Sequence, residues 1–127
     1  MNGENKTTIL YVEDEECTLR TTSLILSSLG FDVIAIQSSI EALNAFSQEP
    51  ERYDLVITDH NMPNLTGCDL SERLLEIRPD IPIILCTGYS LDILTEQVKT
   101  LCIKAFITKP ITVKVLDDVI RQVLNPA

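Results

Sequence analysis

The chain has 127 residues, 45 % of them hydrophobic, and its 19 acidic against 10 basic side chains give a net charge of −9. That length suits a single domain with an adequate core, and the apolar content excludes intrinsic disorder. The acidity disfavours direct binding to nucleic acid or to anionic membranes, and no apolar stretch approaches the ~20 residues a membrane span needs.

Met1–Lys6 lacks the apolar core of a signal peptide, so a cytoplasmic location is expected. Thr8–Val12 reads as a first strand and runs into Glu13 and Asp14. A helix is expected over Glu16–Leu29, ended by Gly30, the residue best able to take a left-handed cap. Asp32–Ile36 is a second strand, and Ile40–Gln48 a second helix capped by Ser38 or Ser39. Leu55–Thr58 is a third strand, leading into Asp59 within Ile-Thr-Asp-His-Asn-Met-Pro. In the third helix, Cys68–Ile77, Leu70, Leu74 and Ile77 share one stripe and Pro79 ends it. Ile81–Cys86 is a fourth strand leading into Thr87 and Gly88. A fourth helix is expected over Leu91–Leu101, a fifth strand over Ala105–Thr108 running into Lys109-Pro110, and a fifth helix over Thr112–Leu124. Cys17, Cys68, Cys86 and Cys102 are scattered without a Cys-x-x-Cys pair and are expected to be structural free thiols.

Short apolar runs alternating with amphipathic stretches are the pattern of βαβ units. The expected fold is α/β, a doubly wound five-stranded parallel sheet of order 2-1-3-4-5, forming one domain over residues 1–127 with its core at about 8–124. In such a sheet ligands bind beyond the carboxyl ends of the strands, where the strand order reverses. Asp14 and Asp59 then face each other across strands 1 and 3, with Glu13 beside them. Like charges ~4 Å apart cost on the order of 4 kcal/mol at an effective dielectric of 20, so the cluster calls for a cation. Hard carboxylate oxygens select Mg²⁺ or Mn²⁺. A carboxylate beside such a metal is a nucleophile toward a phosphoryl group, and the Lys109 ammonium would neutralise the transferring oxygens. The Thr87 hydroxyl is placed to donate to the resulting acyl phosphate, and Gly88 leaves space around Asp59. Each group alone has an ordinary explanation: acids suit a helix's first turn, and Asp59 to Pro63 suits a turn. Their conjunction at one sheet edge points to a metal-dependent phosphoryl acceptor.

These residues resemble the receiver domain of two-component response regulators, with a flavodoxin-like (βα)5 fold, over about Thr8 to Leu124. The likeness rests on Ile-Leu-Tyr-Val-Glu-Asp-Glu, Asp-Leu-Val-Ile-Thr-Asp-His-Asn-Met-Pro, Gly67 opening the third helix, Leu-Cys-Thr-Gly-Tyr and Phe-Ile-Thr-Lys-Pro. It implies that Asp59 accepts phosphate from the phosphohistidine of a histidine kinase or its phosphotransfer domain. It also implies a Mg²⁺ held by Asp14, Asp59 and the Asn61 backbone carbonyl, with Glu13 acting through water. Thr87 and Phe106 are then the switch pair, and the Lys109-Pro110 peptide is cis. The face built from Leu91–Leu101, Lys104–Thr108 and Thr112–Leu124 would regulate a partner, an attached output domain or a phosphorylation-dependent homodimer. Glu13 stands where the family more often has Asp, and Cys102 where Gly is usual. Thr-Gly-Tyr-Ser with Lys-Pro-Ile looks most like receivers of hybrid histidine kinases.

On this reading the chain is a signalling switch whose only catalysis is its own phosphorylation and slow dephosphorylation. The alternative from another class is a haloacid-dehalogenase-type Mg-dependent phosphatase. That family wants Asp-x-Asp after its first strand, where this chain has Glu13-Asp14, and usually carries a cap domain. A degenerate receiver acting only as a binding module would not need the complete acceptor set, and a flavodoxin would need a hydroxyl-rich loop after strand 1.

Overall fold

The computed structural model describes residues 6–88 and 103–125. Their five strands, all parallel, are β1 (Thr8–Val12), β2 (Asp32–Ile36), β3 (Leu55–Asp59), β4 (Ile83–Thr87) and β5 (Ala105–Thr108), in the order β2-β1-β3-β4-β5. The described helices are α1 (Glu16–Ser28), α2 (Ser39–Gln48), α3 (Gly67–Ile77) and α4 (Val113–Leu124), with a 3-10 turn at Pro50–Arg52. The helix expected over Leu91–Leu101 lies outside the described residues, as does Cys102.

The strands are apolar without alternation because both faces of the sheet are covered. All five residues of β3 and of β4 are buried. Successive residues feed two separate cores, as a two-residue period requires. Leu10, Val12, Val56 and Ile83 pack with Ala42 and Phe46 of α2 and Leu70 and Leu74 of α3. Ile9, Tyr11, Ile57, Ile84 and Cys86 pack on the other face with Leu26 of α1 and Leu116 and Ile120 of α4. Helices thus cover both faces, and the order reverses between β1 and β3, where the register pairs Val12 with Thr58.

Several boundaries differ from those expected. The fourth strand begins at Ile83, not Ile81, because the Ile81 N–H donates to the Arg78 carbonyl (3.2 Å) and Pro82 has no N–H to enter a ladder. It ends at Thr87 and the third strand ends at Asp59, so both polar residues are the last rungs of strands. The third helix starts at Gly67, one residue early, on a capping box in which Thr66 and Asp69 exchange side-chain and backbone bonds. Ser38 rather than Ser39 caps α2, accepting from the Glu41 N–H. Thr112 caps α4 instead of belonging to it. Gly30, at φ +99°, follows α1 as anticipated.

Candidate functional site

The chain leaves β1 through Glu13, whose N–H donates to the Ile36 carbonyl at 3.2 Å, one bond past the strand's end. Glu15 then caps α1, its carboxylate accepting from the Thr18 N–H and hydroxyl at 2.7 Å each. Those bonds, the hydroxyl's first, hold the Glu15 carboxyl below the usual range. The helix-start role belongs to Glu15, which leaves Glu13 and Asp14 available for other chemistry.

At the end of β3, Asp59 is 3 % exposed and in register with Cys86. The turn beyond it is pinned twice: the His60 N–H donates to the Cys86 carbonyl, and the Gly67 N–H to the His60 carbonyl, both at 2.9 Å. A Cβ at Gly67 would lie 2.5 Å from the Asp59 carbonyl oxygen and from Leu85 Cδ1, and 2.8 Å from His60 Cα. Only glycine lets α3 start this close to the acid. At β5 the Lys109 N–H donates to the Thr87 carbonyl (2.8 Å), and the Lys109-Pro110 peptide is cis.

Three acids converge here. Glu13, Asp14 and Asp59 each offer a carboxylate oxygen, all within 4.8 Å of one another, with Glu13 and Asp59 buried and Asp14 intermediate. Lys109 Nζ lies 2.7 Å from Asp59 Oδ1 and 3.3 Å from Glu13 Oε1. Burial, then the charge of Asp59, raises the Glu13 carboxyl, while the Glu15 N–H and Lys109 pull it back. Burial alone would lower the Lys109 ammonium, but its bonds to Asp59 and Glu13 outweigh that and raise it. Hard oxygen donors of this kind fit Mg²⁺ or Mn²⁺. Cys86, in register with Asp59, does not compete, because burial pushes its thiol up to about 12.

Thr87 is fully buried at the end of β4. Leu85, two residues earlier on the same face, is in register with Phe106 and packs with Cys68, Ile103 and the half-buried Phe106 ring. The hydroxyl and the ring therefore share one sheet face. Among the described residues, a Cβ at Gly88 meets nothing within 4 Å. Asn61 lies exposed beyond Asp59. Beside the acids a groove of about 600 Å³ opens between α1 and the β5–α4 loop, lined by Cys17, Thr18, Thr22, Lys109, Pro110 and Ile111. Cys17 is an exposed free thiol, Cys68 and Cys86 buried ones.

Sequence reading brought Glu13, Asp14, Asp59, Thr87 and Lys109 to one edge, and the structure does the same. It missed the Glu15 cap and the buried His60, whose imidazole burial holds below its usual range. The Thr66-x-x-Asp69 spacing is the sequence signal of the capping box that opens α3.

Residues 9–121 match the family model of the response regulator receiver domain. The sensor kinase CckA of Brucella abortus is 30 % identical over 118 residues, which cover 93 % of this chain and 12 % of that protein. A response regulator receiver domain protein from Clostridium thermocellum has a TM-score of 0.88 at 30 % identity, over 94 % of this chain and 95 % of that one. The receiver domain of a sensor histidine kinase from Pseudomonas aeruginosa, with a magnesium ion in its active site cleft, has a TM-score of 0.84 at 23 % identity. That match covers 94 % of this chain and 98 % of that one.

Proposed function

This chain belongs to the response regulator receiver family and is a phosphorylatable signalling switch, in which we propose that Asp59 is the phosphoacceptor. The observation that carries this assignment is the buried Asp59 carboxylate with Lys109 Nζ at 2.7 Å and two further acids within 4.8 Å. The family match leaves the haloacid-dehalogenase alternative without support.

An Asp59 oxygen attacks the phosphorus of a donor phosphohistidine. The P–N bond breaks, and its electron pair leaves on the imidazole. Lys109 balances charge on the transferring oxygens, which is most of what phosphoryl transfer asks of a protein. Thr87 donates to the acyl phosphate. Glu13, Asp14, Asp59 and the Asn61 carbonyl would hold Mg²⁺, which supplies charge neutralisation when bound. The donor is a histidine kinase or its phosphotransfer domain. Cytoplasmic placement belongs to the same reading. Among the described residues no helix is long and apolar enough to cross a membrane.

Incubation with acetyl phosphate and Mg²⁺ should add one hydroxylamine-labile phosphate, and Asp59→Asn should abolish it. Phosphate surviving in that variant, or mapped to Thr87, would overturn the assignment.

A further inference from the structure

We infer that Ser39 is a positioning residue for the phosphorylation site: from the start of α2 its hydroxyl clasps the turn at Pro63–Leu65 and so holds the loop that carries Asn61. This rests on the phosphoacceptor reading and deepens it. The loop from Asp59 to α3 is pinned at its ends by the His60 and Gly67 N–H groups, and its middle needs a restraint of its own. Met62 is buried and Leu65 half-buried against one core, but Pro63 and Asn64 between them are exposed. There the Leu65 N–H donates to the Pro63 carbonyl at 2.9 Å, closing a γ-turn around Asn64. Asn64 sits at φ +72°, in the left-handed region that side chains seldom adopt. Such backbone persists where its surroundings enforce it. Ser39 supplies that enforcement. Its Oγ donates to the Pro63 carbonyl at 3.1 Å and accepts from the Leu65 N–H at 3.3 Å, so a single hydroxyl braces the backbone on both sides of Asn64. The residue is 2 % exposed, which leaves little water to replace either bond. Helix capping does not explain the side chain, because Ser38 caps α2 through the Glu41 N–H at 3.2 Å. A slack turn at Asn64 would displace Asn61, three residues earlier, whose carbonyl the proposed function assigns to the metal.

The test sets Ser39→Ala against Ser38→Ala, the neighbouring serine that caps the helix, with dispersed backbone NMR spectra as the folding control. Both variants should unfold at lower urea than wild type, because each loses a hydrogen bond. In EDTA, only Ser39→Ala should move the amide resonances from Asn61 to Leu65 and speed hydrogen exchange at the Leu65 amide; Ser38→Ala should disturb Glu41 instead. Mg²⁺ titration should then show a dissociation constant about two- to tenfold weaker in Ser39→Ala, the scale of one hydrogen bond, and unchanged in Ser38→Ala. Phosphorylation of Ser39→Ala by acetyl phosphate should slow in proportion at low Mg²⁺ and return to the wild-type rate at saturating Mg²⁺. Equal Mg²⁺ affinity in the two variants, or a loss of rate that saturating Mg²⁺ does not restore, would overturn the inference and leave Asp59 as the phosphoacceptor untouched. A wild type that takes no phosphate on Asp59 would overturn both.

Discussion

Asp59 is held in place by residues that do no chemistry, and Gly67 is the clearest of them. Because a Cβ there meets backbone on two sides, Gly67→Ala should cost about 1–3 kcal/mol and also slow phosphorylation by displacing the turn. Gly30 is the comparator: its φ of +99° makes Gly30→Ala cost about 1–2 kcal/mol, but it lies beyond α1 and the phosphorylation rate should hold. Urea denaturation and acetyl phosphate kinetics on both variants check this, and equal kinetics would sink it. Glu13 has a pH signature in the metal-free protein. Its folded carboxyl is raised above the ordinary 4.5, so its contribution to stability is fully present below that value and lost as pH rises through the folded one. Glu13→Gln removes that loss. The melting temperature of the variant relative to wild type should therefore climb as pH rises above 4.5 in EDTA. A flat difference would refute it. The individual polar residues were legible because each ends an apolar run. The Lys109–Glu13 pair was not, since no spacing rule reaches across 96 residues.

Element boundaries were hardest to read where a single bond sets them. β1, β2 and β5 match their apolar runs residue for residue, whereas the start of β4 depends on the Ile81 N–H closing back onto Arg78. Arg78 itself was invisible in the sequence. It follows α3, and its Nη1 donates to the Pro50 and Tyr53 carbonyls at 2.8 and 2.5 Å while Nε meets Asp80 at 3.0 Å. The guanidinium thus ties the end of α3 to the turn that feeds β3, at the sheet edge opposite Asp59. Arg78→Ala should cost about 2–3 kcal/mol, because charged hydrogen bonds are lost and partly buried carbonyls are left without donors. Arg78→Lys should recover little, since an ammonium lacks the planar fork. Chemical denaturation measures both. Full recovery by lysine would mean that charge alone carries the effect.

At the scale of the whole molecule, the strand order was readable because five βα units have few ways to wind, and that order brings β1, β3, β4 and β5 to one functional edge. The same sheet offers a route outward. Thr87 ends β4, and the face it shares with Leu85 carries the Phe106 ring on the neighbouring strand. Moving a 1:99 equilibrium to 99:1 needs ~5.5 kcal/mol of differential interaction, a demand that a divalent phosphoryl group with a hydroxyl contact can meet. Phosphate at Asp59 should therefore bias two packings of the sheet face around Phe106, with Thr87 as the coupling group. Beryllofluoride, a phosphoryl mimic, tests this by NMR. In wild type the perturbation should run from the Asp59 turn through Thr87 to Phe106. Thr87→Ala should still take up the mimic, yet leave the Phe106 resonances near their unliganded positions. Changes confined to the loops around Asp59 in the wild type would make Phe106 a core aromatic and nothing more, and the domain would store phosphate without transmitting it.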